Sequence, residues 1–374
     1  MSVGLSGRLP DFPWDTIAAA RRRAREHADG VCDLSVGTPV DPVPPIATAA
    51  LSGAASAWAG YPTVWGTPEL RAAIRSYLVS RWDSVPLEDA CVLPVVGTKE
   101  LVAHLPLQLG LGAADLVVIP TTAYPTYEVG ARLVGARVLA TDDPQQAAAA
   151  GPSLVWINSP ANPHGAILDR DTLRAWVAAT RAAGAVLVAD ECYGEFAWDA
   201  PVVSVLNPDV NGGSLDGIIA AFSLSKRSNV AGYRAGFLAG DPALIGELLA
   251  VRKHSGLMVP GPVQEAMVAL LGDQAHVAEQ CDRYRSRRDV LRPALEAAGF
   301  RIDHSQGSLY LWATRGEDCR LTLDWLADRG ILAAPGDFYG RAGAQHVRVA
   351  LTAPDERIDA AAARLRGESP GSPQ

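Results

Sequence analysis

Lys226 is the residue from which chemistry can be argued first. It closes the tetrapeptide Ser223-Leu224-Ser225-Lys226, directly after an apolar run that ends at Phe222, and Arg234 follows eight positions later in Ala231-Gly232-Tyr233-Arg234-Ala235-Gly236-Phe237. A lysine at a strand end, flanked by small hydroxyl residues and followed by an arginine, suits an amine that forms an imine with a carbonyl compound beside a phosphate site. Taken alone, such a tetrapeptide more often belongs to a solvated loop. The second segment, Asp190-Glu191-Cys192-Tyr193, follows the apolar run Val186 to Ala189. A carboxylate at a strand's carboxyl end can pair with a protonated pyridine-type nitrogen, and Tyr193 can reach a neighbouring phenolic oxygen. The plainer role for Asp190 is a helix N-cap.

Four further segments share this position after an apolar run. In Asn158-Ser159-Pro160-Ala161-Asn162-Pro163-His164-Gly165, two X-Pro steps stiffen the loop and hold an Asn side chain in one direction, useful for hydrogen-bonding a ring oxygen; an ordinary turn is the alternative. Val96-Gly97-Thr98-Lys99-Glu100 runs from a strand into a helix, where free backbone N–H groups and the Thr98 hydroxyl can form an anion cup or simply start the helix. Tyr124 can stack on a flat ring or pack in the core. Arg348 lies in the alternating stretch His346 to Leu351, where its fork suits bidentate carboxylate binding, or a plain surface position.

These segments need elements to hold them. Short apolar runs at Val92 to Val96, Leu116 to Ile119, Arg137 to Leu139, Leu154 to Ile157, Val186 to Ala189 and Gly217 to Phe222, separated by helical stretches, imply a mostly parallel, doubly wound α/β sheet covered on both faces. Ligands in such sheets sit at the carboxyl ends of the strands. Residues 1–48 read as an extended, proline-interrupted arm with one short strand at Asp33 to Val36; residues 49–254 as the large domain; residues 255–366 as hinge helices and a smaller α+β lobe; residues 367–374 as a solvated tail. Within the large domain, Thr67-Pro68-Glu69 starts a helix that carries Leu70, Ile74, Tyr77 and Leu78 at helical spacing.

Composition narrows the function classes. The 374 residues carry 33 Lys and Arg against 41 Asp and Glu, a net charge of −8, which disfavours nucleic acid as a partner. No apolar run approaches the ~18–20 residues of a membrane span. The first residues show no basic stretch followed by an apolar one, so the expected compartment is the cytoplasm. Five scattered cysteines without a C-x-x-C pair suggest buried thiols rather than a disulfide framework or a metal site. Gly110-Leu111-Gly112 precedes a strand instead of following one, so the context of a dinucleotide phosphate turn is absent.

In their order and spacing, the six segments resemble the class I/II aminotransferases, fold type I enzymes that use pyridoxal 5′-phosphate, from Gly37 to Arg348. The resemblance implies that Lys226 carries the cofactor, that Asp190 faces its ring nitrogen, and that Asn162 and Tyr193 face its ring hydroxyl. Tyr124 would stack on the ring; Ser223, Ser225, Arg234 and the Thr98–Lys99 backbone would hold the phosphate. Gly37 and Arg348 would grip the substrate α-carboxylate. Tyr61, in Gly60-Tyr61-Pro62, resembles a tyrosine that the other subunit contributes, which implies a homodimer. The stretches DLSVGTPVDPVP, VVGTKELVAHLP and SLSKRSNVAGYRAGF further resemble actinobacterial succinyldiaminopimelate aminotransferases, which pass an amino group between glutamate and N-succinyl-2-amino-6-ketopimelate. Lys99 departs from the small or uncharged residue usual in the wider family and is a candidate cation for a distal carboxylate; Arg227, Arg252 and Lys253 are weaker candidates. His164, where the family pattern has Thr, reads as a loop variation. Other aminotransferases, β-lyases and pyridoxal-binding regulators share the same residue set, although the arm is too short and proline-rich for a regulator's winged helix.

Overall fold

A computed structural model describes residues 4–10 and 12–368. Seven strands form the central sheet, in the order Val92–Val95, Gly236–Gly240, Ile218–Ser223, Val186–Asp190, Leu154–Asn158, Leu116–Ile119, Arg137–Ala140. Neighbours are parallel except where Gly236–Gly240 runs antiparallel to both of its partners. The inner strands Leu116–Ile119, Leu154–Asn158 and Ile218–Ser223 are buried along their whole length, as expected for strands covered on both faces. Six of the seven agree with the apolar runs. The seventh, Gly236–Gly240, is not anticipated from sequence because Gly-Phe-Leu-Ala-Gly has weak strand propensity and directly follows the anion-binding motif. Burial between two strands overrides that preference.

The covering helices follow from their spacing and caps. Thr67 accepts the Leu70 N–H at 3.1 Å and starts Pro68–Trp82, whose Leu70, Ile74 and Leu78 are fully buried, each stabilising by about 1.5–3 kcal/mol. Asp169 accepts the Thr172 N–H at 2.8 Å and starts Arg170–Ala182, which buries Leu173, Trp176, Val177 and Thr180 as one stripe.

The smaller lobe is a four-stranded antiparallel sheet in the order Ala334–Pro335, Val347–Ala350, Tyr310–Thr314, Arg301–Asp303, packed against Ala275–Ala297 and Asp355–Arg366. Its register places Trp312 opposite Arg348. The helix Gly261–Gly272, expected with the hinge and small lobe, inserts Met267, Leu270 and Leu271 into the core of the large lobe.

The N-terminal segment corrects the expectation of an extended arm. Ala18–Arg25 is helical, the strand is Cys32–Asp33 rather than Asp33 to Val36, and Pro45–Ala54 is already a helix, with Pro45 in its first turn. Ile17, Ala20 and Ala24 form an apolar stripe against Leu323, Ala327 and Leu332, and Cys32–Asp33 pairs in parallel with Ile331–Leu332. The prolines that interrupt the segment therefore bound short elements instead of preventing them. From residue 369 onward the expected tail lies outside the described residues.

Candidate active site

At the carboxyl ends of Leu154–Asn158, Val186–Asp190 and Ile218–Ser223 lies a cavity of about 550 Å³, closed on its far side by small-lobe strands. It collects Lys226, Asp190, Tyr193, Asn162, Tyr124, Thr98, Lys99, Ser223, Ser225, Arg234, Gly37 and Arg348. Tyr61 is not among them: it stands 95 % exposed on the surface. Arg227 and Arg252 turn elsewhere, Arg227 to Glu195 and the Leu270 carbonyl, Arg252 to Glu100; both are buried structural cations. Lys253 is exposed on the helix Pro242–Ser255, outside the cavity.

Lys226 sits in a four-residue helix, Leu224–Arg227, that the end of Ile218–Ser223 feeds directly. Its ammonium donates to the Gly37 carbonyl oxygen. Burial, with the Arg348 charge opposing and the Tyr310 phenol favouring the charged form, pushes its amine below the usual lysine range, toward the neutral nucleophile. Gly37 is needed here as a glycine, because a Cβ would come 2.0 Å from the Tyr310 hydroxyl oxygen.

Asp190 ends its strand with a buried carboxylate. Oδ2 accepts from the Tyr127 hydroxyl at 2.7 Å and Oδ1 from the Cys192 N–H at 3.1 Å. Desolvation outweighs these two bonds and raises the carboxyl above its ordinary value. Its protein partners are thus a hydroxyl and an amide, not a cation, and a buried anion of this kind fits a protonated ring nitrogen facing it across the cavity.

Asn158 and Asp190 are register partners, and Asn158 secures the next loop by donating to the Asp190 carbonyl at 2.7 Å and accepting the Asn162 N–H at 2.7 Å. Asn162 Oδ1 then accepts from Arg348 at 2.8 Å, which leaves its amide N–H groups for a ring oxygen. Arg348 is 4 % exposed, donates also to the Ser35 carbonyl at 2.7 Å, and lies 4.0 Å above the Tyr310 ring. Its Nε has no partner among the described residues, so the guanidinium retains capacity for a carboxylate.

An anion cup completes the cavity. Thr98–Gln108 begins at Gly97, whose positive φ of 77° and lack of a Cβ admit the Arg234 guanidinium; a Cβ there would meet it at 2.3 Å. Ser223 accepts the Ser225 N–H at 3.2 Å and Arg234 donates to the Ala231 carbonyl, so two hydroxyls, a helix N-terminus and a guanidinium converge. This donor set suits a phosphate dianion. Together, the amine, the carboxylate and the cup fit pyridoxal 5′-phosphate.

Sequence reasoning missed three side chains here. Tyr127 buttresses Asp190; its signal was its position three residues after Tyr124 at a helix start, which brings both rings to one face, their centroids 5.7 Å apart. The Tyr310 hydroxyl lies 2.9 Å from that of Tyr193, and alternation along Tyr310–Thr314 could have aimed it at the site. Trp14 reaches the cavity from the N-terminal segment, and no local pattern marks it.

The model of the family aminotransferase class I and II matches residues 29–365. A probable aminotransferase of Mycobacterium tuberculosis is 58 % identical, the match covering 97 % of this chain and 86 % of that protein. The 4-dedimethylamino-4-oxo-anhydrotetracycline transaminase OxyQ of Streptomyces rimosus is 56 % identical over 96 % of this chain and 99 % of its own. Among solved structures, a probable N-succinyldiaminopimelate aminotransferase from Thermus thermophilus superposes with a TM-score of 0.86 at 27 % identity, covering 95 % of this chain and all of that one. A family match over most of the sequence and a cavity furnished for its cofactor lead to one conclusion: the chain belongs to the class I and II aminotransferases, enzymes that use pyridoxal 5′-phosphate.

Proposed function

We propose that the enzyme moves an amino group between glutamate and N-succinyl-2-amino-6-ketopimelate, making N-succinyl-L,L-2,6-diaminopimelate in the cytoplasm as a homodimer. One observation carries the choice of substrate: besides Lys226 and Arg234 of the anion cup, two further cations at which a carboxylate can sit line the cavity, Arg348, which is buried, and Lys99, which is exposed. A chain with several carboxylates needs a cation for more than one of them. The likeness to the Thermus thermophilus enzyme supports the same reading. Tyr61, exposed on this chain, would serve the partner's cavity.

The cofactor supplies the carbon that carries the amino group and a ring that takes up the electron pair of the substrate Cα–H bond. The chain's residues do the rest. Arg348 and the Gly37 segment bind the α-carboxylate, and Arg348 aligns Asn162 through their shared hydrogen bond. Asp190 compensates the charge at the ring nitrogen, and Tyr127 fixes that carboxylate's orientation. Tyr193 and Asn162 orient the ring oxygen. Lys226, whose amine burial holds below the usual lysine range, takes the proton from Cα and returns it one atom away.

The relation to OxyQ supports a second acceptor class, a large cyclic ketone, and the aromatic side chains Trp14, Tyr124 and Tyr310 around the cavity favour it. A direct test offers N-succinyl-L,L-diaminopimelate with 2-oxoglutarate and follows glutamate formation, beside aspartate, aromatic amino acids and a tetracyclic ketone run with glutamate. Fast turnover of the succinylated substrate alone is the expected result. Turnover of another partner, with none of this one, replaces the substrate and leaves the reaction class standing.

A further inference from the structure

The contact between the hydroxyls of Tyr310 and Tyr193, at 2.9 Å, crosses from one lobe to the other. Tyr310 opens the small-lobe strand Tyr310–Thr314, whereas Tyr193 follows the large-lobe strand Val186–Asp190 by three residues. Both side chains line the active-site cavity and both are buried. Neither hydroxyl has another hydrogen-bond partner among the described residues. The reaction described above gives the Tyr310 hydroxyl no part.

Packing fixes where the Tyr310 hydroxyl sits. The Arg348 guanidinium lies 4.0 Å from the ring centroid, and the hydroxyl fills the space that a Cβ on Gly37 would need. The two tyrosine rings meet at 66° with centroids 5.7 Å apart, so they touch edge to face and do not stack. Each phenol has one proton to give and lone pairs with which to accept. One proton therefore lies between the two oxygens, and the other is left for a group in the cavity. A negatively charged ring oxygen is a better acceptor than a neutral phenol, so with Tyr193 facing that oxygen, the Tyr193 proton goes to the ring and the shared proton comes from Tyr310.

We propose that Tyr310 is a positioning residue of the small lobe: by donating to Tyr193 it fixes the direction in which Tyr193 donates to the cofactor's ring oxygen, and it strengthens that bond. This rests on the reading above in which Tyr193 faces the ring oxygen. A hydroxyl that accepts a hydrogen bond becomes a stronger donor, by about 10–30 % per bond. Lys99, Tyr124, Asp190, Cys192, Arg234 and Arg348 are the other charged and titratable groups around Lys226 in the cavity. They are the same in every variant compared below, so their influence cancels.

The readout is the absorbance of the cofactor-loaded enzyme without substrate, which separates the protonated and unprotonated forms of the bond joining Lys226 to the cofactor. A proton on that nitrogen shares the ring oxygen's negative charge; once it leaves, the oxygen depends on its other donors, so weaker donors favour the protonated form. At one fixed pH, at which the parent shows both forms, Tyr193→Phe is expected to raise the ratio of protonated to unprotonated form roughly tenfold. Tyr310→Phe, which keeps the ring under Arg348, is expected to raise it roughly twofold, and the double variant no further than Tyr193→Phe alone. An unchanged ratio in Tyr193→Phe overturns the reading of Tyr193 and the proposal with it. A changed ratio there, with none in Tyr310→Phe, overturns the proposal alone. A twofold rise from Tyr310→Phe that persists in the Tyr193→Phe background also overturns it, because Tyr310 then acts on Lys226 directly, across the Gly37 carbonyl to which Lys226 donates.

Discussion

Replacing Tyr127 by Phe removes one hydroxyl from a residue that does not line the cavity. In the structure that hydroxyl donates to Asp190 Oδ2 at 2.7 Å, between two fully buried groups, and the tyrosine ring is fixed by stacking on Trp156 at 4.8 Å. A hydrogen bond to a charged acceptor is worth about 1.5–3 kcal/mol. Its loss raises the Asp190 carboxyl further above its ordinary value, on top of the elevation that burial already imposes. With Asp190 facing the ring nitrogen as proposed, the more basic carboxylate would hold the shared proton more tightly and would support the ring's uptake of electrons less well. If the loss is expressed fully in the transition state, kcat falls roughly 10- to 150-fold. Initial rates with glutamate and with the acceptor, measured separately, should fall by the same factor, while KM stays close to its original value. Melting temperature reports whether the fold survives. A Tyr127→Phe enzyme within twofold of the parent would show that this bond does not tune Asp190.

Three other outcomes are expected. Arg348→Lys loses the planar fork over Tyr310 and the bond to Asn162, and steady-state kinetics should show KM for every α-carboxylate substrate rising about 10- to 100-fold. Lys99→Met should raise KM for the succinylated substrate roughly three- to fivefold, as suits an exposed ion pair, and leave glutamate within twofold; equal effects on both would remove Lys99 from the distal subsite. Glu191 is buried beside Asp190 with Oε2 unpartnered, and burial raises its carboxyl to about 7. The folded state therefore holds this proton more tightly than the unfolded chain does, so its contribution to stability is present at low pH and is lost as pH rises from about 4.5 through about 7. Glu191→Gln should stabilise the protein at about pH 8 by up to about 3 kcal/mol and flatten the dependence of Tm on pH.

Much of the site was legible in sequence because its residues sit in short segments immediately after apolar runs, and a parallel sheet brings the ends of successive strands together. Asn162, Asp190 and Lys226 each follow one strand, and those three strands are neighbours. What escaped detection came from farther along the chain or from packing. Trp14 reaches the cavity only because Ile17, Ala20 and Ala24 fasten its segment to the small lobe, a contact across some three hundred residues of sequence that no local pattern encodes. The antiparallel strand Gly236–Gly240 is glycine-rich and is made a strand by its neighbours. Arg227 and Arg252 read as free cations because nothing local discloses that Glu195 and Glu100 neutralise them. His164 read as a loop variation, and its packing against His304, ring centroids 5.1 Å apart, is a contact between distant segments that no local pattern shows.

The claim on which everything else depends is that the Lys226 amine is where the cofactor is attached. Borohydride reduction of the cofactor-loaded enzyme, followed by proteolysis and peptide mass mapping, measures this directly. The expected result is a pyridoxyl-phosphate mass on the peptide containing Lys226 and its absence from the Lys226→Ala protein. Label at Lys99 or Lys253, or an unlabelled Lys226 peptide from active enzyme, would contradict the assignment.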